Sequence, residues 1–544
     1  MRKIIILIFI LLVAVAGVTW LYFKNISGEN NSSAKIFSLI PNQAALVFEY
    51  KNEASFYKIF KNFTLFKDVI GDTCFNQLSQ LETVFISNPQ ISKGLHKSEL
   101  YFSLHATTQN NANFLMLAPL NQSFLNENST SDFIDLVNQN YVLKNNKYGN
   151  QTVFSINLSN KVFNFFVYQN ILVGSFDNLL LQNSIINIEN NNKPQHLLFE
   201  VKTPSNKNAI ANLYINFAQL PAFLNNFSKY KNPENTACLK NFKAYASLNI
   251  NYQSNSFMFS GITIADTTNM QYANLFLNQE PGRLNLTSIL PVDAASYCGY
   301  FVSNSKKFHN NLQQFFKQQN IYQQLKNQVN VISEKHAIDI EKEFLKIMGN
   351  DFGLVQLASG DKVGLISSNN SQRLSFLLSI ISTQSQANLG RFDDANLLYY
   401  FFGDPFKNFK RPYYAVVNNY IAVCNSQVAL QNFVQNYNKQ KLLNNSAKYL
   451  SFQQYLSNKG NIFYFYHNAN SKGILKSFFS NNAHKAFKSK AFNYQNIYGF
   501  SIQFSADKNK FFTNLFMNMV ESKIKNVSLS DSLYLDSLSQ QNIN

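Results

Sequence analysis

Apolar positions in this chain follow two periodicities, one of two residues and one of three to four. Short alternating or continuous apolar runs predict strands, while stripes at i, i+3, i+4 and i+7 predict helices. Phe56, Ile59, Phe60 and Phe63 form such a stripe, and Phe308, Leu312, Phe315 and Phe316 form another at i, i+4, i+7 and i+8. Both read as amphipathic helices with their apolar side in a core. Ser333 to Met348 predicts a further helix, with Ile340, Phe344, Ile347 and Met348 on one face and Gly349 placed to end it.

The same pattern comes round twice. Ile40-Pro41-Asn-Gln-Ala44-Ala45 returns as Leu290-Pro291-Val-Asp-Ala294-Ala295, an offset of 250 residues from Pro41 to Pro291. Each reads as a strand started by proline, which has no N–H to place in a ladder. Val167 to Asp177 matches Val416 to Ser426 at an offset of 249. In both, two apolar strands flank a Gln-Asn or Asn-Asn turn, the pattern of a hairpin. Asp177 and Ser426 then stand where each caps a helix, and Leu181, Ile185 and Ile188 keep frame with Leu430, Val434 and Tyr437. Asn212 to Phe217 matches Asn461 to Tyr466, and Tyr245 to Ile250 resembles Tyr498 to Phe504. Four blocks in one order at nearly one offset predict a tandem duplication.

The predicted class is α+β: two tandem copies of a module with a curved antiparallel sheet and helices packed on one side, after an N-terminal transmembrane helix. The predicted units are a transmembrane signal-anchor (1–24), a polar spacer (25–36), repeat module 1 (37–264), a linker (265–287), repeat module 2 (288–521) and a polar C-terminal tail (522–544). The linker assignment rests on polar composition and the Pro281-Gly282 turn signal.

Location follows from the N-terminus. Arg2 and Lys3 precede a nearly unbroken apolar run, Ile4 to Phe23, closed by Lys24. As a helix the run spans about 30 Å, the thickness of a bilayer's hydrocarbon core. Trp20 and Tyr22 suit the far interface, and the excess positive charge before the run holds the N-terminus in the cytoplasm. The expected location is the inner (cytoplasmic) membrane, single-pass, with the body in the periplasm or outside the cell. Ala14-Val15-Ala16 has the form of a cleavage site, so a cleaved signal peptide is the competing reading.

Composition changes this picture little. Charged residues are 14% of the chain and the net charge is +17, but the lysines are scattered rather than massed. The densest basic stretch, Lys407 to Arg411 among Phe406, Phe409, Tyr413 and Tyr414, equally suits a loop-to-strand junction, so no nucleic-acid partner is expected. Phosphate-loop, dinucleotide and Gly-x-Ser-x-Gly patterns are absent. His336, Asp339 and Glu343 fall along one face of the predicted helix, with Glu341 pointing elsewhere. One histidine and two carboxylates are a thin ligand set, and a solvated face explains them. Gly174-Ser175, and its equivalent Cys424, sit at strand–helix junctions where a nucleophile elbow would lie. Cys74, Cys238, Cys298 and Cys424 lack metal spacing, so buried thiols or disulfides remain open. No catalytic, cofactor or metal residue is assigned.

The Ile-Pro and Leu-Pro strand starts, the helix after each and the anchored N-terminus together resemble a family of exported bacterial proteins common in Bacteroidetes-type genomes. It is known as a domain of unknown function, number 3352. The resemblance runs from about Ile40 to Met519, implies an envelope location and supplies no activity. The expected function is therefore that of a membrane-tethered envelope protein with a non-enzymatic binding or scaffolding body. The alternatives are a carrier or sensor of a lipid or other apolar ligand, and an unrecognised hydrolase. Expected partners are the membrane, through Ile4 to Phe23, and an envelope protein or apolar ligand.

Overall fold

The computed structural model describes residues 35–51, 74–95, 99–106, 112–159, 161–190, 211–229, 242–253, 256–386, 389–481 and 496–519. The apolar run Ile4 to Phe23, the stripe from Phe56 to Phe63, Cys238 and the tail 522–544 lie outside them. Among the described residues no helix is long and apolar enough to cross a membrane.

The first ten strands are β1 (Ala44–Lys51), β2 (Glu99–Ala106), β3 (Ala112–Pro119), β4 (Lys144–Tyr148), β5 (Gln151–Leu158), β6 (Lys161–Tyr168), β7 (Ile171–Ser175), β8 (Ala211–Asn216), β9 (Ala244–Gln253) and β10 (Ser256–Ala265). The next ten are β11 (Ala294–Phe301), β12 (Met348–Leu357), β13 (Lys362–Ser368), β14 (Ser382–Gln386), β15 (Leu389–Phe392), β16 (Tyr413–Val417), β17 (Tyr420–Cys424), β18 (Ile462–His467), β19 (Ile497–Asp507) and β20 (Lys510–Met519). The chain is α+β, and the twenty strands among the described residues join one sheet. Every pairing in it is antiparallel.

At the centre β10 pairs with β20, from Ser256 opposite Asn518 to Thr263 opposite Phe511. Outward on one side the order is β9, β8, β1, β2, β3, β7, β6, β5, β4. Outward on the other it is β19, β18, β11, β12, β13, β17, β16, β15, β14. Gly261 is where backbones approach most closely at this centre: a Cβ there would stand 2.0 Å from the Ser247 carbonyl oxygen. The Thr263 and Thr513 hydroxyls meet across the central pair at 2.6 Å. A second bridge joins Ser228 to Phe479, with Lys229 N–H donating to Phe478 O at 2.7 Å.

Local chemistry explains several elements. The Gln169-Asn170 turn between β6 and β7 has φ of 48° and 65°, a left-handed pair that fits the twist of a two-residue hairpin. Its counterpart between β16 and β17 has Asn418 at φ 54°. Asp177 accepts from Leu179 and Leu180 N–H and caps the Asn178–Glu189 helix. Ser426 accepts from Ala429 N–H and caps the Gln427–Asn438 helix. Leu181 and Leu430 are both buried, at 2% and 0% exposure.

The prolines need a correction. Neither Pro41 nor Pro291 opens a ladder: each precedes a turn in which Ala44 or Ala294 N–H donates back to the proline carbonyl at 3.0 Å. The strands begin at Ala44 and Ala294, and each carries a bulge at once, at Ala44/Leu46 and Ala294/Ser296.

Helices cover both faces of the sheet, not one. On β11, Tyr297 and Tyr300 point to opposite sides because successive strand residues alternate. Tyr297 packs with Leu430 and Phe433 of the Gln427–Asn438 helix. Tyr300 shares a core with Phe308, Leu312 and Phe316 of the Ser305–Gln318 helix. Correspondingly, β7 and β17 are buried at every position, as strands sandwiched on both faces are.

Two further readings change. The predicted helix from Ser333 to Met348 is split: Tyr322–His336 ends at Ala337, whose φ is 52°, and Asp339 caps a new helix, Ile340–Ile347. Gly349 lies inside β12 rather than at a helix end. The segment read as a linker, 265–287, is packed against the second set of strands. Leu275 and Phe276 are fully buried, and Phe276 stacks on Tyr300 with centroids 5.3 Å apart. Tyr272 donates its hydroxyl to the Phe402 carbonyl, and Gln271 and Asn274 donate to Asp266 O.

Candidate functional site

The candidate site is a cavity of about 200 Å³ at the end of β18. Its walls come from five places. The turn after Pro291 supplies Val292, and the Leu443–Asn445 turn supplies Leu443. The start of the Ala447–Gln453 helix supplies Ser446 and Lys448, and the β18 end with the following turn supplies His467, Asn468, Ala469 and Lys472. Ile497 and Tyr498 of β19 close it. Backbone bonds hold these pieces together: Val292 N–H donates to Lys441 O at 2.9 Å, and Leu443 N–H donates to Leu290 O at 2.8 Å. Asn468 ties the floor, with its N–H on Tyr498 O and its amide on Ile497 O, both at 3.0 Å. Asn470 donates to Val292 O at 2.8 Å.

The lining is positive on the rim and apolar below. Lys448 and Lys472 are exposed, Ile497 and Tyr498 are buried, and no carboxylate is among the lining residues. Burial lowers the His467 pKa; the Asn470 side chain opposes this and the nearby Lys448 charge adds to it. His467 Nδ1 is buried with no hydrogen-bond partner. The imidazole packs on Tyr498 with centroids 4.8 Å apart, and burial pushes that phenol up to about 12.

Three other polar clusters lie in the body. In the helical layer, Glu341 accepts from Tyr400 Oη at 2.8 Å and Gln313 Nε2 at 3.2 Å, and pairs with Lys326. His309 Nε2 stands 3.3 Å from Glu341 Oε1. The His309 contact, then those from Lys326 and Tyr400, hold the Glu341 carboxyl far below its usual range. These five residues come from four helices, so the cluster pins the layer together. In the first half of the sheet, buried Glu49 accepts from Tyr101 Oη at 2.7 Å, from Tyr214 Oη, and from Asn212 Nδ2 at 3.1 Å. Burial first, then the Glu49 charge, raises both phenols well above their ordinary value. In the second half, buried Asp351 accepts from Asn285 and Leu286 N–H at 2.8 Å and from Tyr420 Oη at 3.0 Å.

The residues singled out in the sequence do not converge. His336 ends one helix, Asp339 caps the next and Glu343 pairs with Lys346 at 2.7 Å. Glu341, which points away from the face of His336, Asp339 and Glu343, is the hub of the polar cluster. No group of ligand-type side chains suited to a metal occurs among the described residues. Ser175 is fully buried, donates to Phe114 O at 2.7 Å and accepts from Asp177 N–H at 3.0 Å. Cys424 accepts from Ser426 N–H in the same way. Both junction residues thus brace the turn into a helix. Cys74 and Cys424 are free thiols, and burial pushes Cys74 up to about 11. In the basic stretch Phe406 and Phe409 are buried, leaving the cations on a loop ahead of β16.

The cavity residues span Val292 to Tyr498 and form no local motif, so spacing alone did not find them. The one local sign was a histidine closing the aromatic run Phe463 to Tyr466. No family model, no characterised protein and no solved structure matches this chain.

Proposed function

We propose that this chain is a membrane-tethered, exported envelope protein whose body, two fused copies of one module, serves as a rigid binding scaffold. The central β10–β20 pair carries the reading. Outward from it, the strand order on one side repeats that on the other with every number raised by ten. The bulges at Ala44 and Ala294 and the caps Asp177 and Ser426 support the same equivalence. Twisted open sheets seldom exceed about ten strands, and two ten-stranded sheets fused edge to edge account for twenty. Such a junction fixes the spacing of the two modules' outer surfaces, which is what a scaffold requires. The tether rests on Ile4 to Phe23 and the charge before it, and the resemblance to the exported family of unknown function agrees with it.

Alkaline phosphatase fused after residue 34 is expected to be active, and a reporter that works only in the cytoplasm inactive. The reverse pattern refutes export. Native mass spectrometry of the full chain, extracted from membranes in mild detergent, tests the scaffold. A stoichiometric second protein supports it, whereas a bound apolar small molecule would replace it with the carrier reading.

A further inference from the structure

We infer that the cavity walled by Lys448, His467 and Lys472 binds a small organic anion, a carboxylate carried on a short apolar chain. The inference stands apart from the scaffold reading.

Four features of the cavity select this ligand. The first is charge: two ammonium groups stand at the mouth with no carboxylate among the lining residues, so the local field favours an anion. The second is an unmet hydrogen-bonding group. His467 Nδ1 is buried without a partner, and a buried polar atom left in that state is costly until something meets it. An anionic oxygen meets it by accepting a hydrogen bond from the Nδ1–H of a ring that becomes protonated on binding. The third is the apolar floor. Leu443, Ala469 and Ile497 offer nothing to a fully hydrated ion such as inorganic phosphate, while Val292, exposed at the rim, gains cover from a hydrocarbon chain. The fourth is size. At about 30 Å³ for each water-sized group, about 200 Å³ holds roughly seven heavy atoms. That is close to the eight heavy atoms of a six-carbon acid and too little to enclose the paired acyl chains of a phospholipid.

The site is prebuilt. Asn468 and Asn470 fix the β18 end against β19 and against the turn at Val292. His467 is therefore held while the two lysines remain at the surface. The groups facing the ring are Lys448, Lys472, Tyr498 and Asn470. Its lowered pKa is raised when an anion arrives, so binding takes up a proton and strengthens as pH falls toward the ordinary histidine range.

Isothermal titration of the full chain in a nonionic detergent tests this with hexanoate, hexan-1-ol, hexylammonium and inorganic phosphate. Hexanoate is expected to bind at one site per chain, about tenfold or more tighter than hexanol, with hexylammonium silent. Lys448→Gln with Lys472→Gln should weaken hexanoate about tenfold and leave hexanol unchanged. Both lysines are exposed, so an unaltered melting temperature checks that the variant folds. Affinity for hexanoate should rise from about pH 8 to about pH 6, and His467→Asn should flatten that rise. The inference is overturned if hexanoate binds no better than hexanol, or if the double substitution leaves its affinity unchanged. It is overturned equally if inorganic phosphate binds while hexanoate does not.

Discussion

Leu181→Ala and Leu430→Ala probe whether the two halves unfold as one body. Leu430 is fully buried in a core with Tyr297, Phe433 and Tyr449. Leu181 is buried to nearly the same degree among Phe166, Tyr214 and Ile185. Each substitution removes three carbons from a site walled by stiff aromatic rings, which collapse poorly into the space. The cost expected at each is about 2–5 kcal/mol, the range for burying a leucine and then leaving its cavity. If the sheet is continuous through β10 and β20, both losses should appear in the same transition. Urea unfolding of the full chain, followed by far-ultraviolet circular dichroism and tyrosine fluorescence, should then show one midpoint. That midpoint falls in both variants with the slope unchanged. Two resolved transitions, with Leu181→Ala lowering one and Leu430→Ala the other, would refute the reasoning. So would a loss below about 1 kcal/mol at either site, since a buried leucine cannot be truncated so cheaply.

Two predictions concern pH. The Glu341 carboxyl is held below its unfolded value by His309, Lys326 and Tyr400, so its contribution is present above about pH 4.3 and is lost as pH falls toward the lowered value. Glu341→Gln should therefore destabilise at pH 7 by about 1.5–3 kcal/mol, with the difference from the parent shrinking on acidification; a constant difference down to about pH 3 would contradict the assignment. Burial lowers His105 to about 3, so the unfolded chain takes up a proton there first, and stability should decline from about pH 6.5 downward. His105→Leu should flatten that part of the stability curve, as measured by urea midpoints at successive pH values, and an unchanged acid slope would rule the group out.

What was legible in the sequence is what depends on neighbours in the chain. The hairpin turns at Asn170 and Asn418, the caps at Asp177 and Ser426, and the apolar frames of both capped helices follow from short-range backbone and side-chain chemistry. The helix break at Ala337 was written less plainly. Apolar spacing runs straight through Ile332, Ile340 and Phe344, and the sign of a new start was Asp339, a good capping residue read as a ligand candidate instead. The run 265–287 was judged on average polarity, which hid Leu275 and Phe276 among Asn, Gln and Thr. Two-sided burial of the sheet had a signal in Ile171-Leu-Val-Gly-Ser175 and Tyr420-Ile-Ala-Val-Cys424, runs without polar alternation. The cavity had little beyond the histidine that closes the run Phe463 to Tyr466, because five separated stretches of chain meet there only through the tertiary fold.

The chemistry of the strand edges explains why the two halves belong in one chain. An unpaired strand is a template for association, and natural edges are blunted with charge or polarity. The outer strands of the described sheet are of that kind: β4 reads Lys-Asn-Asn-Lys-Tyr and β14 reads Ser-Thr-Gln-Ser-Gln. The strands at the centre are not. β10 carries Phe257, Met258, Phe259, Ile262 and Ile264, and β20 carries Phe511, Phe512, Leu515, Phe516 and Met517. A module standing alone would present one of these strands as an apolar edge, and the partner best matched to it is its own equivalent running antiparallel. On the duplicated reading this is the arrangement of a homodimer made covalent, with the segment around Tyr272 to Phe276 as the join. On that reading the fusion also frees the halves to differ. Glu49 is buried with Tyr101 and Tyr214, and the position 250 residues on is Gly299, where a Cβ would meet Leu284 at 2.5 Å. A side chain at Gly299 would displace Leu284, and that glycine carries no carboxylate to match Glu49. On the duplicated reading, a symmetric dimer of identical chains would carry one version of the site twice, whereas one chain with two diverged copies carries one of each.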